Sequence, residues 1–138
     1  MTRTMLVALM AALVACASQE TTQIREEQDQ AIRDFIAVRG LQELAKIRSS
    51  GSEGWDRLSD HFIIYNTRRG SFLFEFARRC YELDDASRVT PDVRADPNAI
   101  RARFETLRGC SIHKIYALTK AEGAELRELG EAPGSRNQ

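Results

Sequence analysis

The chain is poor in the groups that most often perform chemistry. It holds two histidines, His61 and His113, and three cysteines, Cys16, Cys80 and Cys110. No C-x-x-C pair is present, nor H-E-x-x-H, G-x-S-x-G, G-x-G-x-x-G or a phosphate-binding G-x-x-x-x-G-K-[ST]. Charge of one sign is also lacking, because 20 Lys and Arg balance 20 Asp and Glu. That balance argues against a nucleic-acid binder, which normally carries a basic excess or stripe, and against a polybasic membrane patch. Long apolar runs are missing too. The one extended stretch, Met5 to Val14, would rise about 15 Å as a helix, roughly half of a ~30 Å hydrocarbon core.

What is present begins with that stretch. Arg3 followed by a short apolar run has the form of an export signal. Its end, Leu13-Val14-Ala15-Cys16, resembles the lipobox of bacterial lipoproteins: a branched apolar residue, then a small residue directly before an obligatory cysteine. The resemblance implies a signal peptide over 1–15, cleavage before Cys16, acylation of that residue and a lipidated tether over 16–22. Each buried CH₂ contributes about 0.8 kcal/mol, so several acyl chains hold a protein on a membrane where one is marginal. Ala17 and Ser18 follow the cysteine. The absence of an Asp there favours the outer membrane facing the periplasm over the inner one. Ala15-Cys16-Ala17 also satisfies the small-x-small rule of ordinary signal cleavage, which would release a soluble protein without Cys16. An uncleaved helix is the third reading.

An odd cysteine count in an exported protein calls for an explanation. Lipidation of Cys16 supplies one, and it leaves Cys80 and Cys110 as an even pair for a structural disulfide in an oxidising compartment. A Cys₂His₂ zinc site from Cys80, Cys110, His61 and His113 is arithmetically available, but its spacings match no finger pattern. Neither a metal nor a cofactor is expected.

Along the rest of the chain, Ile24, Ala31, Ile32, Phe35 and Ile36 recur at helical spacing, with Thr22 as cap and Gly40 as stop. LQELAKIR leans to strand, and SSGSEG (49–54) reads as a loop. HFIIYNTRRGSFLFEF is the clearest hairpin signal. Phe62 and Ile64 fall on one face of its first strand and Ile63 and Tyr65 on the other, with Phe72, Phe74 and Phe76 along one face of the second. Residues 80–98 read as loop with a short edge strand near Val89. Residues 97–108 fit a helix through Ile100, Phe104 and Leu107, or a strand through Ile100, Ala102 and Phe104. CSIHKIYAL reads as strand. Thr119 with Glu122 forms a capping box for a last helix ending near Leu129, and 131–138 reads as a flexible tail.

This order of elements resembles an uncharacterised family of small Gram-negative lipoproteins carrying a domain of unknown function. Trp55, the aromatic hairpin Phe62–Phe76, Cys80, the R-F-x-x-[IL] run Arg103 to Leu107 and the C-x-I-x-x-I run Cys110 to Ile115 carry it. The resemblance implies a hairpin across residues 102–115 with Gly109 in its turn. It supplies no catalytic residues.

The expectation is a single α+β domain over 23–130: a small antiparallel sheet, curling toward a barrel, with N- and C-terminal helices and one disulfide. Its expected role is a non-catalytic binding or assembly module, anchored to the membrane through its N-terminal lipid, with an envelope protein as partner. The competing reading is an envelope-acting enzyme using His61 and His113 or the acids of Glu82–Asp85. Arg68, Arg69, Arg78 and Arg79 border the hairpin, as a solvated rim or as a contact for an anionic lipid or glycan.

Overall fold

The computed structural model describes residues 4–48, 51–84, 93–94 and 99–130, with side chains described outside 4–18, 52, 84 and 93–94. Two helices, α1 (Thr4–Arg39) and α2 (Lys120–Gly130), pack on an antiparallel sheet. Its strands are β1 (Glu43–Leu44), β3 (Ser52–Arg57), β4 (Phe62–Thr67), β5 (Gly70–Phe76), β6 (Val93–Arg94), β8 (Thr106–Leu107) and β9 (Cys110–Leu118). They follow the order β3-β4-β5-β9-β8-β6, and β1 pairs with the upper part of β9. A separate ladder joins β2 (Lys46–Ile47) to β7 (Ile100–Arg101).

The architecture is the expected α+β one, with a correction: the sheet stays open. β3 and β6 end the strand order without meeting. A two-residue strand such as β6 offers too few backbone pairs to close a ring, whose strands must all carry matching shear.

The β4–β5 hairpin is built as its alternation predicts. Phe62 and Ile64 join Ile32, Phe35, Leu58, Leu73 and Leu126 in a core beneath the helices. Ile63, Tyr65, Phe74 and Phe76 face a second core, closed by Ile47, Ile100, Leu107, Ile112 and the half-cystines. Tyr65 stacks on Phe74 with ring centroids 4.9 Å apart. The central strands are therefore apolar on both faces, because each face has its own cover.

Residues 97–108 form no helix among those described. Ile100–Arg101 and Thr106–Leu107 are strands, and a tight hairpin turn joins β8 to β9. Both central residues of that turn have positive φ, 50° at Arg108 and 82° at Gly109. This is the pairing that matches strand twist in a two-residue hairpin, and glycine accepts it without steric cost. Phe104 corrects both periodicity readings: it sits in the preceding turn and is 81% exposed, while Ile100 and Leu107 are buried.

Three further expectations change. Thr22 is not a cap, because α1 runs unbroken from Thr4 through residues 16–22. Ile24 lies outside the core at 40% exposed. Of the presumed loop at 49–54, Ser52 to Gly54 belong to β3, with a register shift between Ser52 and Gly54. The edge strand expected near Val89, Pro91 and Pro97, and the tail at 131–138 lie outside the described residues. The α2 capping box is formed: Thr119 N–H donates to Glu122 Oε2 at 2.8 Å and Glu122 N–H to Thr119 Oγ1 at 3.2 Å. α2 then ends against the β3–β4 loop at Gly130. A Cβ there would lie 2.8 Å from Leu58 Cα, so only glycine permits the approach.

α1 runs along the sheet. One end of the sheet is marked by the amide bonds from Phe76 to His61 (2.8 Å) and from Ala77 to Ser111 (3.1 Å). There α1 touches Ser59 and His61 through Asp29. The other end is marked by the Thr67–Gly70 and Ser71–Leu118 pairs. Near it, just after α1 ends, Ala117 N–H donates to the Gln42 carbonyl. Asp29 to Arg39 rises about 15 Å, close to the ~17 Å that Ile112 to Ala117 spans in a strand. Residues 19–27 are all exposed, so α1 projects past the His61 end.

Candidate functional site

The two histidines are not brought together. His61 lies in the loop Leu58–His61 between β3 and β4, whereas His113 is the extra residue of a bulge in β9. There Glu75 pairs with Lys114 and Phe76 with Ile112, and the end of β5 lies between the two histidines. Glu82 lies in the 3₁₀ turn Tyr81–Asp84, exposed and paired with Arg78 at 3.0 Å. The hydrogen bond from Arg78 holds its carboxyl below the ordinary value. Asp85 and its neighbours to residue 92 lie outside the described residues.

His61 acquires a partner that sequence reading missed. Its Nδ1 lies 2.6 Å from Asp29 Oδ2, and Asp29 Oδ1 accepts a hydrogen bond from Ser59 Oγ. Serine, histidine and aspartate thus meet in one cluster, but in the wrong order for nucleophilic catalysis. An activated serine needs its hydroxyl on the histidine, with the carboxylate behind. Here the carboxylate binds both, and the Ser59 hydroxyl spends its proton on Asp29. The arrangement fastens the β3–β4 loop to α1.

Asp60, next in that loop, is 5% exposed. Arg57 contacts its Oδ1, while Arg79 Nε lies 3.4 Å and Arg25 3.8 Å from its Oδ2. These are ion-pair distances, yet Oδ2 accepts no properly aligned hydrogen bond. Three guanidiniums compensate a carboxylate that would be costly to bury alone. A hydrogen bond with Tyr81, and behind it the charges of Asp60 and Asp29, raise the Arg79 pKa. The Asp60 carbonyl accepts from Cys80 N–H at 2.8 Å, which ties this cluster to the staple.

Cys80 and Cys110 form a disulfide, with Cα atoms 5.8 Å apart and both residues buried. Glu82 Oε2 lies 3.1 Å from Cys110 Sγ. One donor atom of each of the three residues lies within 4.8 Å of the other two. With the sulfurs bonded to each other, only the carboxylate is left to bind a cation.

A concavity rich in cationic side chains lies at the opposite end of the sheet. It measures about 670 Å³ and runs between the β4–β5 turn and the start of α2. Arg68, Arg69, Lys120 and Arg127 line it, with Glu53 as the acidic member. Arg127 is committed to Asp56, at 2.8 Å and 2.9 Å through two nitrogens. The side chains of Arg68, Arg69 and Lys120 have no ion pair among the described residues. Arg68 and Arg69 were visible as neighbours in sequence. Lys120 was not, since it arrives through the Ser71–Leu118 pairing some fifty residues later.

The Cys16 side chain is outside the described side chains, and its backbone is helical within α1. No described helix is long and apolar enough to cross a membrane. No match was found among curated proteins or among solved structures. A family model does match, over residues 1–132, and by it the chain belongs to a family of unknown function, DUF6491.

Proposed function

We propose that this protein is a lipid-anchored envelope protein whose α+β domain is a binding module, held away from the membrane by α1. The observation that carries the reading is the succession of Leu13-Val14-Ala15-Cys16 and an exposed helical segment over residues 19–27. The family match includes this leader as well as the domain. Cleavage before Cys16 leaves the acylated residue about 20 Å of helix rise before Asp29, where the sheet is fully engaged. A polar, exposed helix of that length is a strut. The domain behind the strut serves recognition or assembly. The outer membrane, facing the periplasm, is the proposed location, and an envelope component is the proposed partner.

Intact mass of the protein isolated from its own envelope tests the anchor. The expected product begins at Cys16, carries added acyl mass, and exposes two thiols to alkylation only after reduction. Cys16→Ser should abolish both the acyl mass and the membrane association. A chain beginning at Ser18 would overturn the anchor.

A further inference from the structure

The cationic cleft lies at the end of the sheet away from the one where α1 emerges. Thr67 to Ser71 and Leu118 line it, while Asp29, Ser59, His61 and Ser111 mark the anchor end. If the lipid holds the Cys16 end, the cleft opens away from that membrane. This placement matters because the same three cations near the anchor would suit lipid headgroups, whereas here they stand at the far end of the sheet.

We propose that this cleft binds a carboxylate-bearing glycan–peptide strand of the bacterial wall, through Arg68, Arg69 and Lys120. Its volume of about 670 Å³ falls within the usual range for ligand sites. Its lining residues are mostly charged or hydroxyl- and amide-bearing, with Leu118 the one large apolar side chain, and the stems of the long cations supply apolar surface against which a sugar or peptide stem can lie. Guanidinium groups take carboxylates in two-pronged geometry. Arg68 and Arg69 are neighbours in a turn whose backbone amides are both hydrogen-bonded. Arg68 N–H donates to the Gly51 carbonyl at 2.9 Å, and Arg69 N–H to Thr67 Oγ1 at 3.2 Å. The positive charge comes from side chains, because the Thr119–Glu122 box already occupies amides at the start of α2. Glu53 in the lining disfavours a dense polyanion and suits a strand that also carries amines. The choice of wall material rests on the envelope reading; the anion selectivity does not.

The full mature chain, purified in mild detergent, would be co-sedimented with purified wall sacculi, either native or with their carboxyl groups amidated. Native sacculi should retain the protein and amidated sacculi should release it. Arg68→Glu with Arg69→Glu should weaken retention about tenfold or more, since two attractive contacts become repulsive. The charge-matched pair Lys46→Glu with Arg48→Glu, both exposed and outside the cleft lining, should bind as the wild type does. Arg68→Gln with Arg69→Gln, checked by circular dichroism, should give an intermediate loss on an intact fold. Equal retention on amidated sacculi, equal loss in the control pair, or binding to phosphatidylglycerol vesicles in place of sacculi would overturn the proposal. The two readings fail separately. An unacylated chain that still binds through Arg68 and Arg69 sinks the anchor alone, and an acylated chain that ignores sacculi sinks the cleft alone.

Discussion

The two faces of the central strands are covered in opposite ways. One lies under α1 and α2, whose apolar side chains are threaded by polar links: Arg33 to Glu75, Tyr116 Oη to Glu75 at 3.4 Å, and Asp29 to the β3–β4 loop. The other lies under two-residue strands and a 3₁₀ turn, with a disulfide at its edge. Helices bring long continuous faces and satisfy their own backbones. Short strands bring little area and need neighbours for their amides. The face with the weaker cover is the one that carries the covalent bond, as expected for a small domain with a limited core.

The sharpest way to break the helical face is Phe62→Ala. Phe62 is fully buried beneath α1, with the Arg33 guanidinium 5.1 Å from its ring centroid. Its loss should cost about 3–5 kcal/mol in denaturant unfolding, and a cost near zero would mean that the helices do not seat on the sheet. The stapled face is next. Replacing Cys80 and Cys110 together by Ala should cost about 3.5 kcal/mol, for a sequence separation of 30 residues. Hydrogen exchange should then rise first at Thr106–Cys110 and leave Phe62–Ile64 protected; uniform acceleration would show that the two faces unfold as one.

The smallest effect separates the faces by pH. Burial, and then the Glu75 charge, push the Tyr116 hydroxyl up to about 12. The folded state therefore keeps this proton longer than the unfolded chain, whose tyrosines titrate near about 10. Stability from this group is complete below that value and is lost as pH rises toward 12. Tyr116→Phe should flatten the alkaline decline while changing neutral stability little. An unchanged decline would place its origin elsewhere.

The strands with alternating or aromatic sequence were legible in advance, because period two and a known turn leave few choices of face. Thr119 and Glu122 were equally plain, since a capping box is local. Residues 97–108 were not, because Ile100, Phe104 and Leu107 satisfy helical spacing as well as a broken strand. What decided against the helix lies elsewhere in the chain: Ile47 pairs with Ile100, and Ser111 with Thr106. The candidate sites show the same division. Arg68 and Arg69 stand together in sequence, while Asp29 reaches His61 across 32 positions and Lys120 reaches the turn only through β9. Thr22 misled because a good cap residue inside a longer helix is simply a threonine in a helix.

The open sheet has a consequence for molecules crowded side by side. A long flat edge would invite neighbouring copies to add strands to one another. Here one edge is β3, whose Glu53, Asp56 and Arg57 carry charge and whose pairing slips between Ser52 and Gly54. The other is the two-residue β6. Charge and the register shift blunt the six-residue β3, and shortness blunts β6, so crowded copies are not driven to add strands to one another.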